Sequence, residues 1–162
     1  MSMEFRPMLA SDIPDVAQLM RDLDACGAES DPRYQLHDGA DSHYERMCHD
    51  EWLGVFSPYP MAWVAVDGEV CAGFIQGSTQ RADPMIVSPP GVHIRRVFVS
   101  EAHRRKGLGR ELVTRFMKAT SDAGFTRTTV TTLGLDTQAQ AFWASIGFGP
   151  LRVILSRDDA PA

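Results

Sequence analysis

Residues 97–110 read Val97-Phe98-Val99-Ser100-Glu101-Ala102-His103-Arg104-Arg105-Lys106-Gly107-Leu108-Gly109-Arg110. The β-branched and aromatic residues at the start favour a buried strand. Apolar residues then recur at helical spacing, at Leu108, Leu112, Val113 and Phe116. The stretch therefore predicts a strand, a sharp basic turn and a helix. A helix N-terminus carries unpaired N–H groups and partial positive charge, and glycines let a ligand approach the backbone closely. With the surrounding cationic side chains, these groups predict a pyrophosphate site.

This turn resembles motif A of the GNAT family of N-acetyltransferases, in which Gln or Arg is followed by two residues, Gly, one residue, and Gly or Ala. A second stretch, residues 136–148, resembles motif B of the same family. It agrees at the positions of Ala139, Phe142 and Gly147-Phe148. It departs at two positions, because Asp136 replaces the usual Asn and Trp143 replaces the usual Tyr.

The rest of the chain predicts the element order β-α-α-β-β-β-α-β-α-β, which is the order of the family. Helical periodicity predicts helices over residues 13–25, 42–56, 107–123 and 137–146. Strands are predicted over residues 4–8, 61–66, 70–78, 93–99, 127–132 and 151–155. We therefore expect a single-domain α/β GNAT fold over residues 1–157, with a mixed central sheet flanked by helices. Residues 158–162 are expected to form a frayed tail.

Composition limits the class of protein. No apolar run is long enough to span a bilayer and no signal peptide is evident, so we expect a cytoplasmic protein that does not contact membranes. The three widely spaced cysteines fit reduced thiols. Residues 1–94 contain fifteen carboxylates and five arginines, whereas residues 95–127 contain nine basic residues and three acids. A local basic zone in an acidic chain suits a coenzyme A nucleotide better than nucleic acid.

The resemblance implies acetyl-CoA as the cosubstrate and no metal ion. Backbone N–H groups from residue 104 to residue 110 then wrap the pyrophosphate, and Arg104 or Arg105 reaches the 3′-phosphate. The pantetheine arm pairs with the strand end at Phe98 and Val99, whose N–H is the candidate oxyanion donor. The expected cofactor-binding residues are Phe98, Val99, Arg104, Arg105, Lys106, Gly107, Leu108, Gly109, Arg110, Asp136, Phe142 and Trp143.

The residue that protonates the leaving thiolate is in doubt. The family's usual acid is the motif B Tyr, and the indole N–H of Trp143 does not ionise at useful pH. The thiolate is therefore expected to receive its proton from solvent or from a substitute donor. The candidate donors are Ser145, Tyr34 and Tyr44.

The base is equally open. Many relatives place a Glu on the strand before motif A, but residues 93–97 contain no carboxylate. His93 titrates in the right range and is the candidate on this strand. By alternation, His93 and Arg95 share one face, and Ile94 and Arg96 share the other. Further candidates on the second helix are Glu45, His43 and His49.

The acceptor site is expected to be acidic and edged by aromatic residues, which suits a cationic amine. Its expected components are the loops 31–41 and 81–90 and the side chains Tyr34, Asp38, Asp41, Glu45 and Trp52. The sequence thus predicts an N-acetyltransferase that moves an acetyl group to a primary amine of a small molecule or peptide. A non-catalytic acyl-CoA sensor is the alternative, and a nucleic-acid binder over residues 95–118 is the third. The family also contains many homodimers, so a homodimer is consistent with the resemblance.

Overall fold

The structure is a computed structural model that describes residues 3–31, 33–34, 40–54, 61–80, 85 and 89–156. Its helices and strands are β1 (Met3–Pro7), α1 (Ile13–Ser30), α2 (Asp41–Trp52), β2 (Ala62–Asp67), β3 (Val70–Gln80), β4 (Gly91–Val99), α3 (Leu108–Asp122), β5 (Arg127–Val130) and α4 (Thr137–Ser145). The strands form one sheet in the order β1-β2-β3-β4-β5. Every neighbouring pair is antiparallel except β4 and β5, which are parallel. The predicted mixed sheet flanked by helices is confirmed.

Each face of the sheet carries its own apolar core. On one face, α1 and α2 pack through Val16, Met20 and Tyr44 against strand residues such as Phe74. On the other face, α3 and α4 pack against strand residues that include Ile75 and Ile94. Alternate strand residues point to opposite faces, so the two cores are built from the same strands.

A bulge at Arg95 divides β4 into two parts. The residues on either side of it pair with the consecutive residues 76–77 of β3, so Arg95 is an extra residue. Unbroken alternation predicts that Arg96 shares a face with Ile94, and the structure contradicts this. Val97 instead joins Ile94 in the core under α3 and α4, because the extra residue shifts the alternation by one.

The strands β4 and β5 separate beyond this bulge. They pair from Gly91 and Arg127 to Ile94 and Val130, whereas β4 continues to Val99. Residues 95–99 therefore have a paired strand on the β3 side and none on the other side within the described residues. We call this open space, between residues 95–99 of β4 and the chain that follows β5, the fork.

The predicted last strand is absent from the sheet. Residues 151–156 follow α4 without regular secondary structure, and the described strands do not pair with them. Their side-chain pattern favours a strand, but a strand forms only where a neighbouring strand supplies hydrogen bonds. The predicted element order is thus wrong at its last element. The tail at residues 158–162 lies outside the described residues.

The first two helices end at different places from those predicted. α1 continues to Ser30 instead of ending near residue 25, and it includes Gly27. A Cβ at Gly27 would lie 3.0 Å from the ring of Tyr34, so this glycine makes room for an aromatic ring and does not end the helix. α2 ends at Trp52, because Gly54 adopts a left-handed conformation with φ 73°.

Candidate active site

The basic turn has the geometry of an anion site. Gly107 is the N-cap of α3 with φ 81° and ψ 0°, and Arg105 is also left-handed with φ 62°. No side chain caps the helix at Gly107, and the first helical N–H to donate within α3 is that of Glu111, to the carbonyl oxygen of Gly107 at 3.1 Å. The N–H groups of residues 108–110 form no hydrogen bond within the helix, because they belong to the first turn of a 15-residue helix. Such groups bind phosphate.

The basic side chains of the turn differ in what they contact. Arg104 turns back onto the end of β4, where its Nε donates to the carbonyl oxygen of Val99 at 3.0 Å and its guanidinium lies 4.9 Å from the ring centre of Phe98. Lys106 donates to the backbone carbonyl oxygen of Ala102 at 3.1 Å. Of the two arginines expected at the 3′-phosphate, Arg105 is therefore the one that does not fold onto the strand.

The two stretches that resemble motifs A and B are in direct contact. A Cβ at Gly109 would lie 3.5 Å from the ring of Phe142 in α4, an ordinary contact that an alanine would also make. Arg110 donates to the backbone oxygen of Ser145 at 3.3 Å and to its hydroxyl at 3.2 Å. Asp136 caps α4 by accepting from the N–H of Ala139 at 2.9 Å. The start of α3 and the C-terminal part of α4 therefore form one packed unit.

Trp143 is a core residue in this unit. It is 6% exposed and makes edge-to-face contacts with Phe142 and Phe148 at ring distances of 5.0 Å. Of the donors expected to substitute for the missing Tyr, Ser145 already donates to the carbonyl oxygen of Phe142 at 2.7 Å. Tyr34 and Tyr44 both donate to the buried carboxylate of Asp24, at 2.9 and 2.8 Å. Burial and this carboxylate raise the pKa of Tyr34.

A buried carboxylate lies at the bulge of β4. Glu51, one residue before the end of α2, has a side chain only 2% exposed and accepts from Arg95 at 3.1 Å. Burial raises the pKa of its carboxyl to about 7, although the charges of Arg95 and Arg96 oppose the shift. Residues 93–97 of β4 contain no carboxylate, but α2 places the carboxylate of Glu51 beside the bulge of this strand.

Sequence reasoning missed Glu51. It lies three residues after Cys48 and seven after Tyr44, so it belongs to the buried stripe of α2. Trp52 and Leu53 are 44% and 57% exposed instead. An acidic residue at an apolar position of the helical pattern was the available signal.

The protonation of Glu51 makes stability depend on pH. Its pKa is about 7 in the folded protein and about 4.5 in an unfolded chain, so the folded state holds the proton to a higher pH. We expect this group's contribution to be complete below about pH 4 and to be lost as pH rises towards 7, for a total of about 3 kcal/mol. Urea unfolding from pH 4 to 8 measures it. In Glu51→Gln the slope from this group should vanish; an unchanged slope would contradict the assignment.

His93 lies in the paired part of β4. Its Nδ1 is 2.9 Å from the hydroxyl of Thr129, which donates to the carbonyl oxygen of Val92 at 3.4 Å. The hydroxyl is thus free to accept from Nδ1, which leaves Nε2 of the neutral ring as an acceptor. Burial and then the charge of Arg95 lower the pKa of His93. His93 is therefore neutral at physiological pH.

The other expected acceptor-side residues are only partly described. Glu45 is exposed on α2, and Tyr34 packs near α1. His43 contacts Arg46, and His49 contacts the ring of Trp52. Asp38, the side chain of Asp41 and most of the loop 81–90 lie outside the described residues. Among the residues that are described, no cluster of metal-binding side chains occurs.

Two further expectations concern the cysteines, which were predicted to be reduced thiols, and the lack of a segment that could span a bilayer. The three cysteines are free, and burial raises the pKa of Cys48 to about 11. Over the described parts of the chain, we find no helix with the length and apolarity needed to cross a bilayer.

Solved structures with the same fold were found by comparison. An aminoglycoside N-acetyltransferase, AAC(6′)-Iy in complex with CoA, superposes with a TM-score of 0.72 at 18% identity, covering 98% of this chain and 96% of that one. The BH1408 protein of Bacillus halodurans superposes with a TM-score of 0.81 at 16% identity, covering 97% and 99%. An aminoglycoside 6′-N-acetyltransferase of Acinetobacter haemolyticus gives 0.72 at 13% identity, covering 98% and 99%. A comparison with curated proteins found no match.

The forked mixed sheet and the basic turn before α3 define an N-acyltransferase fold. The model of the Acetyltransferase (GNAT) family matches residues 17–148. The chain therefore belongs to the GNAT family.

Proposed function

We propose that this protein transfers the acetyl group of acetyl-CoA to a primary amine. The observation that carries the proposal is the position of the fork beside the free first turn of α3, where a Cβ at Gly109 would lie 3.8 Å from the side chain of Val99. A β-strand edge and a helix N-terminus are both rows of unpaired backbone groups. Together they suit the amide-bearing arm and the phosphates of one CoA molecule.

The reaction begins when the amine nitrogen attacks the thioester carbon and forms a C–N bond. The resulting oxyanion needs a donor, for which the Val99 N–H at the end of β4 is the candidate. The C–S bond then breaks and CoA leaves as a thiolate. Trp143 lies in the core and has no proton to give, so solvent protonates the thiolate in this mechanism.

The amine must lose protons, and Glu51 is the base that we propose. It is buried at the bulge, on the face of the sheet that α2 covers, and its pKa of about 7 suits a base that works near neutral pH. His93, neutral and with Nε2 as an acceptor, is the second candidate. The pH dependence of activity distinguishes these two candidate bases, because only Glu51 is expected to titrate as high as pH 7.

The acceptor is proposed to be a cationic amine. The first 94 residues contribute most of the acidic side chains, and α1 and α2 belong to this part of the chain. Such a field attracts cations. Two of the structurally similar proteins are named for aminoglycosides, which are polyamines. We propose aminoglycoside-type amines as the first acceptors to assay.

The test measures CoA release from acetyl-CoA with a panel of aminoglycosides, polyamines, amino acids and peptides, alongside calorimetric CoA binding. We expect micromolar CoA affinity and turnover on at least one cationic amine. CoA binding without turnover on any amine favours the acyl-CoA sensor. Strongly salt-dependent affinity for DNA or RNA, with no CoA binding, favours the nucleic-acid binder.

A further inference from the structure

Two polar residues lie at the edge of the core that α1 and α2 cover. Phe74 of β3 and Phe98 of β4 are register partners, and both pack in that core. Gln76 and Arg96 lie two residues from them on the same strands and are register partners as well. Residues two apart in a strand share a face, so Gln76 and Arg96 also point to the side of α1 and α2. We call these two residues the donor pair.

Gln76 carries a buried donor without a partner. The residue is 2% exposed, and its Nε2 forms no hydrogen bond within the described structure. Buried polar atoms are nearly always paired, because an unpaired one loses its bonds to water and gains none in return. The amide lies beside the thiol of Cys48, whose pKa it lowers against the effect of burial. A thiol is only a weak acceptor, so Nε2 remains able to donate to a bound molecule.

Arg96 places a half-buried positive charge beside this amide, since side chains of register partners lie close together. Among the residues that the structure describes, its guanidinium has no hydrogen bond and no ion pair. The neighbouring charges are engaged elsewhere. Arg95 is paired with Glu51 at 3.1 Å, and the buried carboxylate of Asp24 accepts from two tyrosine hydroxyls. The donor pair therefore offers one charged and one neutral donor to a ligand.

The donor pair lies on the acceptor side of the candidate active site. Arg96 is three residues before Val99, which places the two backbones about 10 Å apart along the strand. The turn proposed to hold the CoA phosphates follows Val99 in the chain and so lies in the other direction. The charge of Arg96 opposes the rise in the pKa of both Tyr34 and Glu51, so it acts on the space beside α2. An anionic group held there belongs to the molecule that receives the acetyl group.

We propose that the donor pair binds a carboxylate of the acceptor, and that the acceptor is an amino acid. A carboxylate has a negative charge and two oxygens, which match one guanidinium and one amide donor. The inference rests on the proposed acetyl transfer and narrows its acceptor class. With the carboxylate at Arg96, the amine of the same small molecule reaches the thioester near Val99. Among the cationic amines proposed as acceptors, those that carry a carboxylate should therefore react best.

Matched substrates test this preference. Lysine, glycine and β-alanine are each compared with their carboxamides, and lysine is also compared with its decarboxylated form, cadaverine. We expect kcat/KM to be at least about tenfold higher for the amino acid of each pair. In Arg96→Gln this ratio should fall about 10-fold to 100-fold, the effect of losing a charge-assisted contact. The Kd for CoA and kcat/KM for the carboxamides should stay within about twofold of the wild type.

Gln76→Met tests the amide separately, because methionine has a similar length and no donor. The ratio should fall about threefold to tenfold. Nε2 has no partner in the free protein, so this variant should keep the thermal stability of the wild type, whereas a glutamine with a structural role would lose it. Arg115→Gln is the matched control. It removes the same charge from an exposed position of α3, and the ratio should not change.

The outcomes separate this inference from the proposed function. Equal kcat/KM for amino acids and carboxamides, or an unchanged ratio in Arg96→Gln, would overturn the inference and leave acetyl transfer intact. No turnover on any amine would overturn both. Circular dichroism checks the fold of each variant. Should Arg96→Gln fail to fold, the ratio in Gln76→Met decides, and a wild-type ratio there would count against the donor pair.

Discussion

Replacement of Gly107 by Val is expected to raise the Kd for CoA at least about 100-fold, as measured by calorimetry. Gly107 holds φ 81° at the N-cap of α3, where a β-branched residue is strained by about 1–3 kcal/mol. Relief of that strain moves the turn and with it the free N–H groups of residues 108–110. The backbone that is proposed to hold the pyrophosphate is then misplaced.

Gly124→Val is the matched control for this experiment. Gly124 has φ 92° at the other end of the same helix, and a Cβ at either glycine meets no atom within 4 Å. Both variants should therefore lose a similar amount of thermal stability. CoA affinity should change less than about twofold in Gly124→Val. Equal losses of affinity in the two variants would refute the assignment of the turn as the CoA site.

Glu51→Gln is expected to lower kcat by about 100-fold to 10,000-fold, the range for loss of a general base. The amide has the shape of the carboxyl and keeps an oxygen for Arg95 to donate to, so the fold and the Kd for CoA should be retained. In the wild type, kcat/KM should rise with pH through about 7, where the carboxyl loses its proton. The variant should lack this limb.

Glu111→Gln controls for the loss of a Glu–Arg pair as such. Glu111 pairs with Arg115 at 2.7 Å, but its side chain is 44% exposed on α3, and exposed pairs contribute little. Its kcat should stay within about twofold of the wild type. A Glu51→Gln enzyme with normal kcat and an intact acid limb would rule out Glu51. His93 would then be the remaining candidate.

The sequence was most informative where local chemistry decides the structure. Strand-forming residues, two glycines and an amphipathic run specify the turn before α3 without help from distant residues. Gly107 takes the left-handed conformation at the turn, as its lack of a Cβ allows. The same reasoning located the helices and the strands up to α4 to within a few residues.

The parts that could not be predicted depend on contacts between distant residues. The bulge at Arg95 exists only in the register of β4 against β3, and no local pattern encodes it. Glu51 meets Arg95 through a separation of 44 residues. The pattern of residues 151–155 is that of a strand, but whether it forms one depends on a partner.

The bulge at Arg95 also adds one residue to β4. It begins the fork on one side of the strand and turns the side chains of residues 95 and 96 towards α2 on the other. Without this extra residue the pairing with β3 would be unchanged and the alternation would be regular, so Phe98 and Val99 would keep their faces of the sheet. What would be lost is the guanidinium that donates to the buried carboxylate of Glu51. Arg95 and Glu51 therefore depend on each other, and a relative that lacks the extra residue in β4 should also lack a carboxylate at the position of Glu51.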